Sequence, residues 1–182
     1  MAEERMDIFD ADRRPLGYTR LRSEKLGPGE YKVVVGIWIV DARGRLLITR
    51  RSPQKRYAPG KWENTGGHMA AGETPVGAVI RELREETGLS VAEEDVRYLG
   101  TAIVPPFIGD NFIARVSDVS ALALKPDETC DARWVTLSEL DAMMAAGEMA
   151  PSTQEHMRAY RAAFVREIDR LRREGTEMGD AI

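Results

Sequence analysis

Between residues 31 and 50 the chain reads YKVVVGIWIV, then a short polar stretch, then LLITR. Two β-branched and aromatic runs around Asp41-Ala-Arg-Gly44 predict a β-hairpin. A shorter hairpin is expected over 6–18, turning at Asp10–Arg14, and Leu26-Gly-Pro-Gly-Glu30 reads as a loop. Residues 51–72 are rich in Pro and Gly, which predicts loop with one brief extended piece at Trp62–Thr65. The period then changes. Thr74-Pro75 places an N-cap before a proline in the first helical position, and Gly88 stands where a C-terminal cap belongs, so a helix is expected between them. Val96–Ile103, Phe112–Leu124 and Ala132–Val135 predict further strands, the middle one irregular. Thr136-x-x-Glu139 and Ser152-x-x-Glu155 are both capping-box patterns. The second opens a helix whose apolar stripe, Met157, Tyr160, Phe164, Ile168 and Leu171, predicts core packing.

Strands interleaved with one central and two C-terminal helices predict an α/β (α+β) sandwich, a mixed β-sheet flanked by helices. At 182 residues the chain suits a single domain spanning 1–182, with an N-terminal hairpin or arm over 1–30 and a C-terminal helix over 150–175. Net charge of -4 argues against a nucleic-acid polymer as partner, since binding a phosphate backbone normally needs a basic excess. The longest apolar run, Val33 to Val40, is about half a membrane span, and the first fifteen residues carry no apolar signal core. No membrane partner is therefore expected. The single cysteine, Cys130, cannot form an internal disulfide and is read as a structural residue before a buried strand. A free thiol suits a reducing compartment, so a cytoplasmic location is expected.

The chemistry is concentrated in residues 67–89, GHMAAGETPVGAVIRELREETGL. At about 100° per residue, Glu85 and Glu86 flank Glu82 at roughly -60° and +40°, so three carboxylates share one helix face. Leu83, Val79, Val76 and Ile80 form a separate apolar face, and Ala78 falls within the acidic one, where its small side chain would leave room for a ligand. Three glutamates at i, i+3 and i+4 repel one another unless a cation sits among them. An all-oxygen donor set suits Mg²⁺, with Mn²⁺ as a substitute, rather than zinc.

Gly67, Glu73, Arg81-Glu82-Leu83, Glu85-Glu86 and Gly88-Leu89 also stand at the spacing of the Nudix box, complete at every specified position. A chance match has odds of roughly one in 10⁹ to 10¹⁰ per starting point. The sequence thus resembles the Nudix hydrolase superfamily, whose fold carries the box as a loop–helix–loop. That resemblance implies a metal-dependent hydrolase cutting a diphosphate linkage in a small molecule, a pyrophosphatase in the broad sense. It implies Glu82, Glu86, Glu85 and the Gly67 carbonyl as metal ligands, and Arg81 as a structural residue pairing with Glu73 and Glu85. For the general base it leaves Glu82, Glu85 and Glu128, the last in D-E-T-C-D-A-R-W (127–134). A homodimer is one option the family leaves open.

Upstream, LLITRRSPQKRYAPGKWENTGGH (46–68) and the opening D-I-F-D-A-D-R-R-P-L-G resemble a narrower branch that contains isopentenyl-diphosphate isomerase. By that likeness Arg51 and Lys55 match a basic pair that holds diphosphate, and His68 could touch phosphate. The isomerase is the competing reaction class. Its pattern needs a cysteine where Gly66 stands, a metal-binding histidine where Lys32 stands, and a downstream Glu-x-Glu, whereas residues 99–120 hold no glutamate. A Nudix domain that binds without cutting is the third reading, disfavoured because no box glutamate is missing. The organic group on the diphosphate is left open among nucleotides, nucleotide sugars, dinucleotides and isoprenoids.

Overall fold

The computed structural model describes residues 3–116, 119 and 122–179, with side chains through 174. Two strands, β1 (Arg5–Phe9) and β2 (Pro15–Leu21), form the expected N-terminal hairpin. The main sheet contains β3 (Lys32–Val40), β4 (Leu46–Arg51), β5 (Trp62–Glu63), β6 (Thr65–His68), β7 (Arg97–Val104), β8 (Phe107–Arg115) and β9 (Thr129–Val135). Its central path runs β5-β4-β3-β8-β7, with β6 on β3 and β9 on β4. The β3–β8 pair is parallel, Lys32 opposite Phe107 through Val40 opposite Arg115, and the other pairings are antiparallel. The helices are α1 (Pro75–Thr87), α2 (Leu137–Ala145) and α3 (Pro151–Gly179).

The apolar run in β3 is explained by burial on both sheet faces. Val33, Val35, Ile37 and Ile39 point to one layer, where they meet Val79 and Leu83 of α1 together with Ile108 and Phe112 of β8. Trp38 and Val40 point the other way, into a second core with Leu46, Ile48, Ile113 and the α3 stripe Met157, Tyr160, Phe164, Ile168 and Leu171. Trp38 packs against Phe164 with ring centroids 5.0 Å apart and donates its indole N–H to the Tyr160 hydroxyl at 3.0 Å. The helix–sheet–helix sandwich is thereby closed on both sides.

Four local expectations need correcting. Gly67 and His68 lie on strand β6 rather than in a loop, because β3 offers an open edge opposite Val34 through Ile37. The strand placed at Phe112–Leu124 instead runs from Phe107 to Arg115. Of the remainder, 117–118 and 120–121 lie outside the described residues, and Ala123 donates its N–H to the carbonyl of Thr87, against α1. Ser152 is inside α3 and caps nothing, since Pro151 already occupies the helix start; its backbone N–H is satisfied by the Tyr57 hydroxyl at 3.0 Å. Thr136 and Glu139 do form a reciprocal capping box on α2. Cys130 is exposed, because it alternates with buried Thr129 and faces outward. Among the described residues no helix is long and apolar enough to cross a membrane.

Candidate metal and diphosphate site

Helix α1 is delimited as its end residues dictate. The Thr74 side chain accepts from the Gly77 N–H, Pro75 opens the first turn, and Gly88 closes the helix at φ 74° with its N–H on the Arg84 carbonyl. Leu83 and Val79 are fully buried against β3, and so is Ala78, which belongs to the core and leaves no ligand space above it. That packing fixes the rotation of the helix. Glu82 and Glu86 are turned inward, 7% and 9% exposed, while the Glu85 side chain remains 48% exposed at the rim.

Gly67 is what admits Glu82. A Cβ at that position would overlap the Glu82 carboxylate, so any larger residue would push that acid out of its present place. Arg81 binds the box together. It donates to both oxygens of Glu73 at 2.7 and 2.9 Å, to Glu82 at 3.0 Å and to the His68 carbonyl at 3.0 Å, and lies 3.5 Å from Glu85. Glu73 in turn accepts from the Ala70 N–H at 2.8 Å. The hydrogen bond from Arg81 holds the Glu73 carboxyl below its ordinary range.

Burial dominates the electrostatics of the other acids. It pushes the Glu86 carboxyl up to about 8, with further upward pressure from Glu63, Glu82 and Glu128. Burial also raises Glu82, against the opposing charge and hydrogen bond of Arg81. Like-charge repulsion is therefore a secondary cause, where the sequence had suggested it as the main one. Glu128 is brought close enough for its charge to act on Glu86, and it is half buried between Lys125 at 2.7 Å and Lys55 at 3.3 Å. Burial raises its carboxyl, but the bonds and charges of those two lysines prevail and hold it low, so it is ionised at neutral pH.

Glu63 is a member of this cluster that sequence reasoning missed. It sits on the two-residue strand β5, carries a carboxyl raised by burial, and accepts Arg51 Nη1 on both oxygens at 2.8 Å. The signal was available in K-W-E-N, where Trp62 is anchored inward and a strand must turn the next side chain the other way.

Of the basic loop, Arg51 is occupied by Glu63 and by the Tyr57 carbonyl, and Lys55 by Glu128. Both cations border the acidic cluster rather than standing free. His68 faces the opposite side of β6 from Gly67 and meets Phe107 edge-on, ring centroids 5.9 Å apart. Burial, then the charges of Arg22 and Lys32, push its imidazole down to about 4, so it is neutral at pH 7.

A NUDIX domain model matches residues 30–160 of this chain. The chain belongs to the Nudix family. An uncharacterized Nudix hydrolase of Listeria monocytogenes is 34% identical over 150 residues, covering 81% of this chain and 89% of that protein. An isopentenyl-diphosphate Delta-isomerase of Citrobacter koseri is 31% identical over 160 residues, covering 83% and 86%. The crystal structure of DR0079 from Deinococcus radiodurans matches with a TM-score of 0.68 at 26% identity, covering 81% of this chain and 92% of that one. The relatives of this Nudix chain thus carry both hydrolase and isomerase names, and the choice between the two readings rests on the side chains at the site.

Proposed function

We propose that this Nudix protein is a Mg²⁺-dependent hydrolase, with Mn²⁺ as a substitute, that cleaves a diphosphate linkage in a small molecule such as a nucleoside diphosphate joined to another group. The observation that carries the reading is the inward pair Glu82 and Glu86 against side-chain-free Gly67, with Glu63 and Glu128 close enough to oppose further negative charge. Among the described residues Glu86 has no ion-pair partner, and its raised carboxyl marks a buried acid that lacks a cation. Among the same residues no group of three or more His, Cys, Asp or Glu side chains is arranged to hold a metal ion, and Glu82 is engaged by Arg81 at 3.0 Å. The donor set fits a hard cation: Glu82 and Glu86, the Gly67 carbonyl, and Glu85 from the rim would hold it.

A divalent cation held there would supply positive charge to the phosphate and make a nearby water more acidic. The chain's own residues do the rest. Arg81 keeps the box loop and helix in one arrangement. Arg51 and Lys55 border the carboxylates on the side of the basic loop, placed to exchange Glu63 and Glu128 for phosphate oxygens. Glu128, ionised and beside Glu86, is the proposed base, ahead of Glu82 and Glu85.

The isomerase reading is disfavoured by the site itself. A Cβ at Gly66 would overlap the Val35 carbonyl oxygen, so no cysteine fits there without moving backbone. Lys32 spends its ammonium on three backbone carbonyls and cannot replace a metal-binding histidine. The test is a panel of nucleoside diphosphates, nucleotide sugars, dinucleotides and dimethylallyl diphosphate, each with Mg²⁺ in oxygen-18 water. Heavy oxygen in one of the two phosphate-bearing products is expected, and product formation should vanish with EDTA. Deuterium incorporation on conversion of isopentenyl to dimethylallyl diphosphate would overturn the assignment, and no release from any compound would leave a binding domain.

A further inference from the structure

The box loop that joins β6 to α1 is held partly from outside the Nudix-matched segment, by the N-terminal hairpin that precedes it. Each backbone N–H from residue 69 to 73 has an acceptor. Met69 donates to the Val33 carbonyl at 3.1 Å, Ala70 to the Glu73 carboxylate at 2.8 Å, and Glu73 to the Ala70 carbonyl at 3.1 Å. The other two donate to β1. Ala71 gives its N–H to the Arg5 carbonyl at 2.8 Å, and Gly72 gives its N–H to an Asp7 carboxylate oxygen at 2.8 Å. Glu4, just ahead of β1, adds a further contact 3.8 Å from the Arg81 guanidinium.

The hairpin is itself clasped to the main sheet along its length. Met6 and Ile8 of β1 are fully buried, and Phe9 exchanges backbone hydrogen bonds with Tyr31 at 2.9 and 2.8 Å. The segment leaving β2 is tied to β3 by the Lys32 ammonium, which donates to the carbonyls of Leu21, Arg22 and Glu24 at 3.0, 3.0 and 3.1 Å. At the turn, Arg13 grips buried Asp110 of β8 with both terminal nitrogens. Arg13 holds φ 62°, a left-handed conformation that residues other than Gly seldom adopt. Glycine or asparagine would be the unstrained choice for that turn, so the ion pair is kept against a backbone cost.

We propose that the hairpin is a strap that presets the metal loop, with Asp7 and Arg13 as positioning residues for the metal ligands. The inference rests on the metal site proposed above. The path is continuous. Arg5 and Asp7 fix Ala71 and Gly72, the loop so fixed places Glu73, Glu73 holds Arg81 through both of its oxygens, and Arg81 holds Glu82. Gly67, whose carbonyl is a proposed ligand, lies two residues ahead of that loop on β6. A loop already in the binding geometry loses less conformational freedom when the cation arrives, which tightens binding without any contact between strap and ion. Linkage makes the effect reciprocal, so the cation stabilises the docked hairpin by the same factor.

The probe is Mn²⁺ alone, with free ion read by electron paramagnetic resonance and no substrate present, where every variant keeps the parent's circular dichroism. Asp7→Ala should raise the Mn²⁺ Kd about fivefold or more, the lower end of typical couplings between sites. Asp7→Asn, which keeps an acceptor oxygen, should stay close to the parent. An unchanged Kd in Asp7→Ala, or an equal loss in Asp7→Asn that traces the effect to charge, overturns the proposal. Arg13→Gln removes a positive charge, so electrostatics alone calls for tighter Mn²⁺ binding. The strap calls for a Kd raised several-fold, and an unchanged or lower Kd overturns it. Should Arg13→Gln fail to fold, hydrogen exchange in the parent takes its place. Mn²⁺ should slow the amides of Ala71, Gly72 and Phe9 together, and unchanged exchange at Phe9 counts against the strap equally. A parent that binds Mn²⁺ but cleaves no diphosphate fails the hydrolase reading alone, while a parent that binds no Mn²⁺ fails the metal site and the strap with it.

Discussion

Glu86 concentrates the physics of the site in one carboxyl. An unfolded glutamate ionises near 4.5, whereas burial moves this one to about 8 in the fold. Between those values the folded state binds a proton that the unfolded state has released, so metal-free stability falls as pH rises. His68 works the other way below pH 6.5, because its imidazole is neutral in the fold down to about 4. The two oppose each other in the lower part of the window, which leaves Glu86 dominant between about pH 6.5 and 8. In EDTA the parent's melting temperature should fall across that interval, and Glu86→Gln should flatten the fall; a parallel decline in both would place the cause elsewhere. Arg51 is a second residue whose role the structure sharpens. Bonded to Glu63 at 2.8 Å, it can shift to phosphate only by releasing that carboxylate. Arg51→Ala should raise KM about tenfold, equivalent to roughly 1.4 kcal/mol, and kinetics with an unchanged KM would return Arg51 to a purely structural pairing. Cys130 is exposed, and its thiol donates to the Arg51 carbonyl at 3.5 Å. Cys130→Ser should leave turnover within a few-fold.

Elements differ in how openly the sequence announces them. Helix α1 was legible to within a residue, because Thr74, Pro75 and Gly88 each act through local backbone geometry. Strand β8 was not, since its polar centre, Asp110 and Asn111, reads as a turn. Both are 2% exposed and satisfied inside the fold: Arg13, 97 positions earlier in the N-terminal hairpin, grips Asp110 with both terminal nitrogens, Thr101 adds a hydrogen bond to it at 2.6 Å, and Asn111 donates to the Gly109 carbonyl at 2.8 Å. A long-range partner of that kind leaves no local trace. Strand β6 escaped notice for a related reason, as Gly66 and Gly67 carry no apolar side chains and are glycine so that Val35 and Glu82 can approach. The inward rotation of Glu82 and Glu86 depends on the opposite face of α1. Leu83→Ala should cost about 2–5 kcal/mol of stability, measured by denaturant titration, and should weaken metal binding as the helix loosens. A loss of stability below about 1 kcal/mol would mean that α1 is not anchored by this contact.

On the scale of the whole molecule, folding brings together acids from three separate parts of the chain: Glu63 on β5, Glu82 and Glu86 on α1, and Glu128 just before β9. Burial raises the carboxyls of Glu63, Glu82 and Glu86, which destabilises the metal-free fold at alkaline pH, and a divalent cation held among them would reverse that cost. Metal that binds only the folded state adds about 2.7 kcal/mol at a hundred-fold excess over Kd, or about 5 °C or more for a chain of this length. The direct test is the melting temperature at pH 8, with and without Mg²⁺, of the parent and of Glu86→Gln. The parent should gain several degrees from Mg²⁺, and Glu86→Gln should gain almost nothing while matching or exceeding the metal-free parent. If Glu86→Gln instead melts well below the metal-free parent, Glu86 is a structural residue and this is not the metal site.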